Sequence, residues 1–157
     1  MRRNVFVSML ALLVLTLGSA VARAQNSASS APPTDAAAIK QAALDYIEGW
    51  YEGNAERMER ALHPELAKRI IETNPQTGRS RLSQMSAMTL VQGTRAGGGT
   101  KTPKEKQQKD VTILDVFERA ASVKVVAGDW VDYLHMAKSN GRWVIVNVLW
   151  ELKPDRK

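Results

Sequence analysis

Tyr133 and His135 stand two positions apart in a stretch that alternates like a strand, so their side chains share a face. A tyrosine hydroxyl can donate to a developing oxyanion, and a neutral imidazole can take a proton near neutral pH. The pair is a candidate acid–base couple. Asp132 lies on the opposite face and becomes a candidate general base if that face turns inward. Tyr46, Trp50, His63 and Trp150 join Tyr133 and His135 as candidate ligand contacts. Each offers an aromatic ring with a polar atom that can orient a planar molecule. All have a packing explanation as well: a tyrosine or histidine on a core face is usually a hydrogen-bonded packing group, and a tryptophan suits a core or rim position. His63 precedes Pro64 at a helix end, where capping or junction packing accounts for it. His63 and His135 are the only histidines, they share no local ligand spacing, and there is no cysteine. The sequence therefore predicts no metal site and no cofactor, and it excludes disulfides, a thiol nucleophile and a lipoprotein anchor.

These residues need elements to hold them. Thr34-Asp35 caps a helix in which Ile39, Ala43, Tyr46, Ile47 and Trp50 recur on one face. Gly53-Asn54 stops it, and Asn54 caps a second, short helix carrying Met58, Ala61 and Leu62. Glu65 to Thr73 reads as another short helix with Leu66, Ile70 and Ile71, and Ser80 to Val91 as a further one. Asn74 to Gly78 is a turn between them. Residues 93–109 hold Gly97-Gly98-Gly99 and four lysines. A phosphate loop needs a strand before the glycines and a helix after them, so this segment reads as a solvated, mobile loop.

From Asp110 the apolar period becomes two. Val111 to Phe117 and Ala121 to Ala127 give two strands, and Trp130–Ser139 and Arg142–Glu151 give two more. Asn140-Gly141 joins the last pair as a two-residue type I′ turn, because both positions require positive φ. The turn predicts that Ser139 opposes Arg142, Ala137 opposes Val144 and His135 opposes Val146. One face then carries Val131, Tyr133, His135 and Ala137 with Val144, Val146, Val148 and Trp150, and is expected against the helices. The other carries Trp130, Asp132, Leu134, Met136 and Lys138 with Trp143, Ile145, Asn147, Leu149 and Glu151. It is expected outside as a homodimer surface. The opposite assignment would put Asp132 and Asn147 in a pocket.

The N-terminus predicts export. Met1-Arg2-Arg3-Asn4 is basic, Val5 to Leu17 is almost wholly apolar, and Ala22-Arg23-Ala24 is a small-x-small cleavage site. These are the three parts of a secretory signal peptide, too short for a comfortable membrane span. Cleavage after Ala24 takes three arginines from a 157-residue chain of net charge +6, leaving +3 and no case for a nucleic-acid partner. The expected organisation is a signal peptide at 1–24, a flexible leader at 25–34, a domain at 35–153 and a tail at 154–157. The expected location is periplasmic or secreted in a bacterium, with no membrane anchor after cleavage.

Three stretches resemble a known family. They are Asp45-Tyr46-Ile47-Glu48-Gly49-Trp50-Tyr51-Glu52-Gly53-Asn54, Glu59-Arg60-Ala61-Leu62-His63-Pro64-Glu65, and Trp130 to His135 running on through Asn140 to Trp150. Their order and spacing resemble the putative lumazine-binding family of the nuclear transport factor 2-like superfamily, from about Ala36 to Leu152. The resemblance implies an α+β cone: N-terminal helices packed on a strongly curved antiparallel sheet, with a cavity in the mouth. The sequence-based reading is an exported module that binds a small apolar or aromatic molecule, or only self-associates. The alternative is a cofactor-free isomerase, dehydratase or hydrolase using Tyr133 and His135, or Asp132.

Overall fold

The structure is a computed structural model, and it describes residues 34–154. The signal-peptide segment, residues 25–33 of the leader and residues 155–157 lie outside the described residues. Helix α1 (Asp35–Glu52) begins at Thr34, whose hydroxyl accepts from the Ala37 amide at 3.3 Å. It ends at Gly53, which takes the left-handed conformation at φ 66°. Asn54 caps α2 (Ala55–Ala61) by accepting from the Arg57 amide. Strands β1 (Leu62–Thr73) and β2 (Ser80–Ser86) follow, then α3 (Ala87–Arg95). Strands β3 (Lys109–Phe117), β4 (Ala120–Ala127), β5 (Trp130–Ser139) and β6 (Arg142–Leu152) complete a six-stranded sheet in the order β2-β1-β6-β5-β4-β3. The fold class is α+β as expected, but the sheet is mixed: β1 runs parallel to β6.

Two expected helices are corrected. Residues 65–73 belong to β1, where Leu66, Lys68 and Ile70 are buried at a period of two. Residues 80–86 form β2, paired antiparallel with β1. The helix starts only at Ala87, where the Ser86 hydroxyl accepts from the Thr89 amide. A lysine at an inward position is what hides the strand, because a polar residue breaks the apolar alternation that marks one.

The expected faces of the β5–β6 hairpin are also corrected. Asn140 and Gly141 both have positive φ, and Ser139 and Ala137 oppose Arg142 and Val144 as expected. The register then slips at a bulge, so that His135 opposes Asn147, not Val146. Beyond the bulge, Leu134 pairs with Val148 and Asp132 with Trp150. Asp132, Leu134 and Met136 are buried with Trp143, Ile145 and Val148, whereas Tyr133, His135 and Leu149 are exposed. Most of the face expected as a dimer surface is therefore core. Helix α1 lies on this inward face, against β3, β4 and β6. Ile39 and Ile47 are fully buried there with Val123, Val125, Leu134 and Ile145.

Helices α1 and α2 are tied by Arg57. Its guanidinium reaches Asp45 at 3.1 Å, Glu48 at 2.5 Å and Glu52 at 2.9 Å, and Arg60 reaches Asp45 at 2.9 Å. Burial alone would raise the Asp45 pKa, but hydrogen bonds from Arg60, Arg57 and Gln41 outweigh it and hold the carboxyl below its ordinary value. Glu48 is lowered first by Lys109, against burial, and then by Arg57. A lowered folded-state pKa means the unfolded chain binds more protons in this range. The stabilisation is present above the unfolded values of about 4 and lost as pH falls through the lower folded ones. Urea midpoints measured at pH 7, 5, 4 and 3 are expected to fall mainly over the last two steps. Arg57→Met should flatten that fall, and an unchanged profile would contradict the linkage.

Candidate functional site

The inward face of the sheet and the helices enclose a cavity of about 410 Å³. Helix α1 supplies Tyr46, Ile47 and Trp50; α3 supplies Thr89, Leu90 and Gly93; β1 supplies Lys68; Trp130 and Trp150 come from β5 and β6. Asp129, beside β5, also lines it. The walls are mainly apolar and aromatic, with few polar groups, the usual make-up of a small-molecule site.

At the inner end, Lys68 is 5% exposed and Asp132 is fully buried. Lys68 Nζ donates to Asp132 Oδ1 and to the Tyr46 hydroxyl oxygen, each at 2.6 Å. The Trp130 indole N–H donates to Asp132 Oδ2, also at 2.6 Å. The ammonium lies 4.8 Å from the Trp150 ring centroid, 5.3 Å from Tyr46 and 6.0 Å from Trp130. Aromatic faces and a carboxylate together stabilise a cation that burial would otherwise disfavour. Burial pushes the Lys68 pKa down, and the charge and hydrogen bond of Asp132 oppose that fall only in part. Burial, then the Asp132 charge and hydrogen bond, push the Tyr46 hydroxyl well above its ordinary value, so it stays a neutral phenol.

One donor in this group has no partner. Trp150 Nε1 is buried, and it alone among the buried side-chain nitrogens and oxygens of the described residues makes no hydrogen bond. An unsatisfied buried donor costs about 1–3 kcal/mol.

Trp50 closes another part of the wall, and the triple glycine fits against it. The Gly99 amide donates to the Trp50 carbonyl at 3.1 Å. A Cβ at Gly98 would stand 2.6 Å from Trp50 Cζ3, and one at Gly99 2.5 Å from Trp50 Cδ1. Two glycines of the segment expected as a solvated loop are thus packed on the indole, where the lack of side chains allows the approach, while its four lysines are exposed.

Of the residues singled out from sequence, Tyr46, Trp50 and Trp150 meet at the cavity. Tyr133 and His135 do not. They project from the outer face, where Tyr133 is 45% exposed and His135 Nδ1 is 3.1 Å from Asn147 Nδ2. Asn147 is not in the cavity either; its side-chain Oδ1 accepts from the Arg69 guanidinium. His63 sits where α2 meets β1, and its Nδ1 accepts from the Glu65 amide at 3.2 Å. Asp132 faces inward but lies behind Lys68 and Trp130 with both oxygens engaged. It positions Lys68 and is not open to the cavity as a base. Lys68 itself was missed in the sequence. Leu66 and Ile70 lie four apart, a spacing that fits a helix as well as a strand, so no local signal points to it.

The match to known proteins agrees with this geometry. Residues 34–151 match the family described as "Putative lumazine-binding". The chain belongs to that family. Nothing among the curated proteins matches it. Among solved structures it is similar to an NTF2-like protein of unknown function from Silicibacter pomeroyi DSS-3, at 17% identity and a TM-score of 0.56, over 75% of this chain and 95% of that one. It is equally similar to one from Shewanella baltica OS155, at 16% identity and a TM-score of 0.56, over 78% and 99%. A third, from Methylobacillus flagellatus KT, gives 18% identity and a TM-score of 0.56, over 79% and 96%. These likenesses identify the fold as NTF2-like.

Proposed function

We propose that this protein is an exported, non-catalytic module that holds a small planar molecule in the cavity between α1, α3 and the inward sheet face. The observation that carries the reading is a largely apolar, aromatic-walled space of about 410 Å³ with one buried polar cluster at its inner end. Apolar area gives affinity there, and a few fixed polar groups give orientation. The proposal contains no catalytic step, because Tyr133 and His135 lie outside the cavity and Asp132 is screened from it. Lumazine is one planar heterocycle of the right kind, suggested by the family description alone. Self-association is part of the proposal too. Its surface is now the outer face, where exposed Tyr133 pairs with exposed Leu149 and exposed Ile71 pairs with exposed Leu82.

Native mass spectrometry of the mature protein purified from its source tests both parts. The expected species is two chains with a retained small molecule that is lost on gentle activation. Trp50→Ala is expected to lose the small molecule and keep the subunit count. A bare chain from the wild type would overturn the ligand reading, and a single chain would overturn self-association.

A further inference from the structure

We infer that the inner end of the cavity selects neutral ligands carrying a conjugated carbonyl, over carboxylates and over hydrocarbons of the same shape. The inference rests on the ligand-binding reading and adds the chemistry of selection.

Lys68 carries three N–H donors. One goes to Asp132 and one to Tyr46, and the third remains on a side chain that lines the cavity. Trp150 lines the same cavity and holds the unpartnered indole N–H. The ammonium is 4.8 Å from the Trp150 ring centroid, so the two donor-bearing side chains stand together at the wall of the space. An occupant with an acceptor edge there satisfies groups that the protein leaves unmet. A hydrocarbon edge leaves them unmet.

Charge decides between acceptors. Lys68 and Asp132 already form a neutral buried pair. A carboxylate ligand would make that end a net anion in an apolar space. A carbonyl oxygen takes the same hydrogen bonds without adding charge. The aromatic walls favour a flat conjugated ring on the remainder of the molecule.

Three naphthalene probes separate the possibilities by titration calorimetry on the purified protein. They are 2-acetylnaphthalene, its isostere 2-isopropenylnaphthalene and 2-naphthoate. The ketone is expected to bind about tenfold or more tightly than the carboxylate, which takes the same hydrogen bonds but adds an uncompensated charge. The decisive quantity is the ketone-to-isopropenyl affinity ratio, in which differences in partitioning cancel between variants. Trp150→Phe keeps the ring and removes the N–H; it should lower that ratio by about threefold to tenfold. Replacing the ion pair together, as Lys68→Met with Asp132→Leu, leaves no unpaired charge and should lower it by about tenfold or more. An unchanged ratio in both variants, or tightest binding by the naphthoate, overturns the inference while leaving the pocket reading standing. Failure of all three probes to bind overturns the pocket reading, and the inference falls with it.

Discussion

Replacing Asp132 with alanine is expected to lower the unfolding free energy by about 3–5 kcal/mol, the usual result of stranding one member of a buried ion pair. Lys68 is 5% exposed and is paired with Asp132 at 2.6 Å. Without the carboxylate, the ammonium keeps one hydrogen bond, to the phenol of Tyr46, and the faces of three rings. Cation–π contacts of about 0.5–2 kcal/mol each do not replace a carboxylate. Trp130 loses its acceptor at the same time. The double variant Lys68→Met, Asp132→Leu removes both charges and keeps volume. It should recover most of the loss, since apolar replacement of a buried pair is often neutral or stabilising. Urea unfolding at pH 7 measures both. A loss below about 1 kcal/mol for Asp132→Ala would mean that the ammonium has access to water and that the pair is not the buried organiser described here.

The second large effect is expected at Gly99. Alanine there places a methyl 2.5 Å from Trp50 Cδ1, 2.6 Å from Nε1 and 3.1 Å from the Trp50 carbonyl oxygen. The backbone of residue 99 cannot retreat without breaking its 3.1 Å bond to that carbonyl. The indole, which also lines the cavity, must then move. Gly99→Ala should destabilise by about 1–3 kcal/mol, the range for overpacking, and should weaken probe binding as the wall shifts. Gly93→Ala is the control. Its methyl comes no closer than 3.8 Å to Trp50, and it sits within α3, so it should be neutral or stabilising by about 0.4–1 kcal/mol. Equal unfolding behaviour of the two variants would contradict the close packing of Gly99 on Trp50.

Local signals in the sequence carried much of this fold. Thr34, Gly53, Asn54 and the Asn140-Gly141 pair mark their helix ends and their turn by short-range chemistry, and each acts as its type requires. The misreadings came from groups whose position depends on a distant partner. Lys68 is inward only because Asp132, 64 positions later, faces it. Seen alone, it turns a strand into an apparent helix, while Asp132 seen alone looks like a solvent-facing charge. The pair thus concealed both β1 and the correct inward face of β5. The bulge near Val146 did the rest: one extra residue moved Val148 and Trp150 to the Asp132 side, a change that alternation cannot reveal. The glycines were misread for a related reason, since nothing near residue 98 in the chain announces Trp50.

Ligand entry beside Lys68 and Trp150 is reported directly by the four indole N–H signals. Trp143 donates to Asp35 and Trp130 to Asp132, while Trp150 has no acceptor. In a proton–nitrogen correlation spectrum, titration with 2-acetylnaphthalene is expected to move the Trp150 indole signal downfield as it gains an acceptor. The Trp50 signal should shift with it, and the Trp143 signal should stay in place. A Trp150 signal that does not move while the Tyr133 and His135 amides on the outer face do would contradict the account.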